Sequence, residues 1–328
     1  MRPAAVLLCL ALVSGSAAAH HSTAEYDRST LRELEGELIE VRWRNPHFML
    51  KLRTESAAGA AEDWELAGLP ISLLEGAGLT GSLFSVAVGQ RVKAAGWPSR
   101  TRASMLVSNV LLPSGDEALF YPQSKLRWST RQAGGQWARE SVSGELRNLF
   151  RVWSVADLGA YIRMAQAIAV KLTPAAQAKM AATPPRLDVC RPQGMPGIML
   201  NPLPIRFVDR GDYIDLELAS FGVLRRIDMV GAPDPAAIPL SDLGYSAGRW
   251  VGDTLEVRTT RVGWPYVDDD GRPQSTNVEI LERFALAADG GRMTYVQTAT
   301  DSISLAEPLT VNWDLVDAGD TIDPVNCD

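Results

Sequence analysis

Gly36-Glu37-Leu38-Ile39-Glu40-Val41-Arg42-Trp43 opens a series of five short segments. It is followed by Phe48-Met49-Leu50-Lys51-Leu52, Trp64-Glu65-Leu66, Arg91-Val92-Lys93-Ala94-Ala95-Gly96 and Met105-Leu106-Val107-Ser108-Asn109-Val110-Leu111. Each is short, rich in apolar residues and bounded by turn formers, which predicts five strands. Between the third and the fourth stands Pro70-Ile71-Ser72-Leu73-Leu74-Glu75-Gly76. A proline start and a glycine stop around apolar spacing predict one short helix there. Five strands with a helix between the third and fourth is the order of an OB-type barrel, expected over residues 20–120. Such a barrel either binds a ligand or merely packs, because fold alone does not assign function.

Upstream of this barrel the chain begins Met1-Arg2-Pro3, continues through the apolar run from Ala4 to Val13 and ends in small residues up to Ala19. A basic start, a short apolar core and small residues before a cut predict a secretory signal peptide over residues 1–19, and hence a periplasmic or secreted protein. The apolar core is too short to span a bilayer, and no later stretch reaches the roughly 20 apolar residues a spanning helix requires. Lys and Arg number 32 against 39 Asp and Glu, a formal charge of −7, and the sequence pI is near 5.2. That balance argues against nucleic acid as a partner. A length of 328 residues suggests about two domains.

Loss of the leader leaves Cys190 and Cys327 as the only thiols. An oxidising compartment favours their pairing. That disulfide would close a C-terminal domain over residues 189–328, a long loop worth roughly 5 kcal/mol in the chain-entropy picture.

The three histidines, His20, His21 and His47, all fall near the amino terminus of the mature chain. Cleavage after Ala19 would place a free amine beside the His20 imidazole. Amine and imidazole donors suit Cu(II) in tetragonal geometry, and a carboxylate such as Asp27 or Glu25 would complete a zinc site. The expectation is therefore a copper or zinc site at His20, His21 and His47 with Asp27 in support. The alternative is an ordinary chain terminus and a histidine hydrogen-bonded within the barrel. Pro46 cannot donate to a ladder, which predicts a turn or bulge that turns His47 out of regular pairing.

Several of these motifs occur together and in order: Ala19-His20-His21-Ser22 with Tyr26-Asp27, Trp43-Arg44-Asn45-Pro46-His47, Trp64-Glu65-Leu66, Pro70 to Gly76 and Gly89 to Gly96. Over residues 19–115 the chain thereby resembles an exported bacterial domain of unknown function, family 6152, with the His-His-Ser start and Asn-Pro-His as hallmarks. The resemblance implies an exported small β-barrel domain and no particular reaction.

Residues 121–188 read as a short helical connector. Ser154 to Val170 has helical apolar spacing at Val155, Leu158, Tyr161, Ile162 and Ala165, and Thr173-Pro174 starts a second helix that Pro184-Pro185 ends. From Cys190 onward turn signals recur about every eight to twelve residues. Seven strands are expected: 204–208, 213–218, 224–229, 254–260, 276–284, 293–300 and 309–315. They predict an antiparallel β-barrel or sandwich. Gly248-Arg249-Trp250 is similar to the Gly-x-Trp element of lipocalin-like barrels, although it stands in mid-domain rather than on the first strand. Cys190 to Pro196, this motif and Val278 to Phe284 also resemble a C-terminal module of uncharacterised exported proteins. Trp250 is expected to anchor the core.

Alternation along 278–284 puts Glu282 on the apolar face with Val278, Ile280 and Phe284. An inward carboxylate is either an acid, base or ligand anchor, or one half of a structural pair with Arg. Asp268-Asp269-Asp270-Gly271 lacks the spacing of a calcium loop and reads as a hairpin turn. No nucleophile elbow, phosphate loop or dinucleotide glycine pattern is present. The expected function is binding, of a metal at the histidines, of an apolar small molecule in the C-terminal domain, or of both. The rivals are a periplasmic enzyme, either a copper oxidase or oxygenase or an acid/base catalyst using Glu282, and an envelope scaffold.

Overall fold

The computed structural model describes residues 26–45, 47–55, 59–138, 148–182, 191–231, 234–319 and 321–325. The first unit contains Arg32–Arg42 (β1), Met49–Glu55 (β2), Ala61–Ala67 (β3), Ile71–Gly76 (α1), Gly81–Ser85 (α2), Arg91–Pro98 (β4) and Ser104–Leu111 (β5). The five strands and α1 lie within a few residues of where the sequence predicts them. β1 is used twice: Arg32 to Glu37 pair with β4, and Glu37 to Arg42 pair with β2. β3 runs parallel to β5 through Glu65↔Ser104, Leu66↔Met105 and Ala67↔Leu106, which closes the ring β1-β2-β3-β5-β4. This is the OB-type barrel.

β1 makes its turn around the barrel because its backbone is allowed to come close. A Cβ on Gly36 would overlap the Arg53 carbonyl, and the register slips between Leu38 and Glu40. α1 contributes buried Leu73 and Leu74. Leu38, Phe48, Leu50, Leu52, Leu66, Phe84 and Phe120 fill the centre. Two strands absent from the prediction, Glu117–Leu119 (β6) and Gln132–Ala133 (β7), extend the sheet beyond β5.

The second unit is a closed barrel of nine strands. They are Val152–Val155 (β8), Ile205–Asp209 (β9), Tyr213–Leu218 (β10), Val223–Asp228 (β11), Tyr245–Val251 (β12), Thr254–Thr260 (β13), Glu279–Leu286 (β14), Arg292–Thr300 (β15) and Leu309–Asp317 (β16). Seven of the nine are the strands predicted, and the domain is a barrel rather than a sandwich. The eighth, β12, is the Gly248-Arg249-Trp250 stretch itself.

The ninth, β8, comes from residues read as connector. Val152–Val155 pairs with both β16 and β9, so this strand is drawn out of the predicted helix. The helix proper is Leu158–Ala167 (α3), started where the Asp157 carboxylate accepts the Ala160 N–H at 2.9 Å. Pro174–Ala182 (α4) begins as expected, with the Thr173 hydroxyl accepting the Ala176 N–H at 3.2 Å.

All joints of this barrel are antiparallel except β11–β12, where Ile227↔Ser246 and Asp228↔Ala247 run parallel. Asp228 accepts the N–H groups of Val230 and Gly231, both at 3.0 Å, and so turns the chain away from the sheet. The chain then crosses before β12 begins. Leu69 and Trp137 pack against the cores of both barrels. No helix among the described residues is long and apolar enough to cross a membrane.

Candidate ligand sites of the C-terminal barrel

Nine strands enclose a lumen that side chains of ordinary size fill. Trp153, Phe207, Leu216, Phe284 and Tyr295 are buried in it. Phe284 meets Phe207 edge-on at 5.0 Å, and Tyr295 meets Trp313 at 4.7 Å. Among these apolar groups lies a polar network that runs over five consecutive strands. Arg225 of β11 donates to Glu282 of β14 through both terminal nitrogens, at 2.9 Å to Oε1 and also to Oε2. Its Nε donates to the Ser246 hydroxyl at 3.0 Å and one terminal nitrogen donates to Thr259 at 2.7 Å. The Tyr295 hydroxyl lies 2.8 Å from Glu282 and 3.0 Å from Gln297.

The alternation therefore placed Glu282 on the correct face. Its carboxylate is buried and both oxygens are taken, the arrangement of a structural ion pair. Burial works against the Arg225 charge, but the adjacent Glu282 carboxylate outweighs it and holds the guanidinium above its ordinary pKa. Burial, with the same carboxylate adding to it, pushes the Tyr295 phenol well above its ordinary value. No sequence signal marks Arg225, which stands 57 residues from its partner.

Trp250 corrects the expectation of a core anchor. It pairs with Leu255, which is fully buried, and cross-strand neighbours share a face, so Trp250 points to the lumen side. Its place near the end of β12 carries it past the packed interior, and it is 44% exposed. Phe150 meets its ring edge-on at 6.4 Å. The Trp250 ring borders a cavity of about 540 Å³ lined by Asn148, Leu149, Trp250, Asp253, Leu286 and Ala287. Gly248 leaves the room that Met229 and Ile227 occupy beside β12.

The proposed metal ligands fare differently. His20, His21 and Glu25 lie outside the described residues, as do Pro46, Cys190 and Cys327. His47 is half-buried in the β1–β2 turn. Asp27 lies before the other end of β1, where its backbone N–H donates to the Pro98 carbonyl at 2.9 Å. The Asp27 carboxylate accepts the Ser29 hydroxyl at 2.6 Å and the Ser29 N–H at 3.1 Å, and these bonds, the hydroxyl foremost, hold it below the usual carboxylate range. Among the described residues no group of three or more His, Cys, Asp or Glu is placed to hold a metal ion. The Asp268 to Gly271 stretch is the turn expected, with Arg272 paired to Asp270 at 2.8 Å and to Asp268 at 2.5 Å.

Sequence reading missed a second buried carboxylate. Glu117 accepts the N–H groups of Arg127, Trp128 and Ser129 at 2.9–3.1 Å, and the Asn109 amide at 2.6 Å. It ties residues 127–129 to the first barrel. Neither periodicity nor a motif marks it, because β6 is only three residues long.

The first barrel has relatives. Residues 7–106 match the model of a family of unknown function (DUF6152). The match bears out the resemblance carried by the His-His-Ser and Asn-Pro-His motifs, and it ends inside β5, short of the C-terminal barrel. No curated protein and no solved structure matches the chain.

Proposed function

We propose that this is an exported binding protein whose C-terminal barrel holds an apolar small molecule at the end where Trp250 stands. The observation that carries the reading is a lumen-side tryptophan left 44% exposed over a cavity of about 540 Å³. Leaving so large a ring in water forgoes stabilisation that burial would supply, on the order of 25 cal/mol per Å² of apolar surface. Leu149, Leu286 and Ala287 give the cavity apolar walls, and Asn148 and Asp253 supply few polar groups. That mixture is what small-molecule sites show, in the size range of roughly 300–1,000 Å³. The signal-peptide reading of residues 1–19 supports export.

The test uses N-phenyl-1-naphthylamine, an uncharged apolar dye that fluoresces when it leaves water. The mature protein should bind it saturably at one dye per chain, and Trp250→Ala should weaken binding at least tenfold with an unchanged circular dichroism spectrum. Absence of saturable binding, or equal binding by Trp250→Ala and by Leu286→Asp, overturns the proposal.

A further inference from the structure

Where β8 stops, the wall of the barrel is continued by α3, and a second groove of about 470 Å³ runs between that helix and β16. Trp313 and Tyr161 form an aromatic surface in it, their rings edge to face at 5.4 Å, with Met164 of α3 alongside. The register pairs Tyr295 with Trp313 on the lumen side, so the neighbouring residues Asn312 and Asp314 stand on the outer face. Arg292 of β15 shares that outer face, and Asp157 approaches from the start of α3.

The charges in this groove are not paired with one another. Among the described residues no carboxylate lies within ion-pair reach of the Arg292 guanidinium, and neither the Asn312 amide nor the Trp313 indole N–H makes a hydrogen bond to a described residue. Asp157 spends one oxygen on the Ala160 N–H, and Asp314 one on the Thr294 hydroxyl at 2.9 Å. Each keeps a second oxygen with no bond to a described residue. One cation and two carboxylates therefore share a groove with two aromatic rings.

We infer that this groove binds a zwitterion of the α-amino acid type. Its carboxylate meets Arg292, and its ammonium lies between the second oxygens of Asp157 and Asp314. A simple carboxylate would gain Arg292 and be repelled by two aspartates, and a simple amine would meet the reverse. A ligand carrying both charges leaves neither pole opposed. The volume suits a molecule of that size.

Calorimetric titration of the mature protein with each of the twenty L-α-amino acids, and with hexanoate and hexylamine, tests the inference. At least one amino acid should bind saturably at one per chain, and at least tenfold tighter than hexanoate or hexylamine. Arg292→Gln and Asp314→Asn should each weaken it at least tenfold, and Arg292→Lys should recover part of the loss. Both positions are on the barrel surface, and an unchanged unfolding midpoint verifies the fold of each variant. No saturable amino acid binding, equal binding of the singly charged probes, or undiminished binding by Arg292→Gln overturns it. Dye binding at Trp250 is a separate readout and stays intact in all three variants.

Discussion

Glu282 shows how far one residue can be read from its neighbours in sequence. Alternation with Ile280 and Phe284 placed it inside the barrel, and the structure has it there, buried against Arg225. What alternation cannot supply is the partner, which stands three strands away. The pair fixes the consequence of substitution. Glu282→Gln removes the negative charge and leaves the Arg225 guanidinium buried without compensation, which costs about 3–5 kcal/mol. Chemical denaturation should show this loss in full, and Arg225→Met with Glu282→Leu should cost less than the sum of the single changes, because the charges then leave together. Trp250 is the opposite case: its side of the sheet follows from register, yet its exposure depends on how far β12 outruns the packed lumen.

At the scale of elements, strands with clean alternation and clear turns were legible to the residue. Tyr213–Leu218 and Thr254–Thr260 occupy the positions their sequence predicts. β8 was hidden because Val155 fits the apolar spacing of the helix that follows, and only its two strand partners decide the matter. β12 reads as a motif and not as a strand because Gly248, with Ile227 and Met229 against it, interrupts the alternation that marks a strand. The loop pinned by Glu117 was equally silent, since its order comes from one carboxylate rather than from periodicity. Glu117→Ala would strip three successive backbone N–H groups of their acceptor. With charge-assisted bonds worth about 1.5–3 kcal/mol, we expect a stability loss of about 3 kcal/mol and rapid amide exchange at residues 127–129, leaving the exchange of β14 and β15 unchanged. Undisturbed exchange at 127–129 would show that the loop is held by something else.

For the whole molecule, three buried phenols set the response to alkali. Burial raises the pKa of Tyr121, of Tyr161, where Asp269 adds to it, and of Tyr295, where Glu282 does. A raised value in the folded state means stability complete below the unfolded value of about 10 and lost as pH climbs beyond it. Unfolding midpoints should therefore be flat between pH 8 and 9 and fall above pH 10, and Tyr295→Phe should fall less steeply.

The nine-strand cylinder is held unevenly. β13, β14, β15 and β16 are joined by ladders of six to eight paired residues, whereas β11–β12 and β8–β9 have two each. Those two thin seams divide the circle into a leaf of three strands, β9 to β11, and a sheet of six. Arg225 belongs to the leaf and Glu282 to the sheet, so the ion pair works as a bolt thrown across the gap between two valves of a shell. Draw that bolt and the tube has the means to part along its seams, like a bivalve whose hinge and lip were both set by the spacing of its rungs.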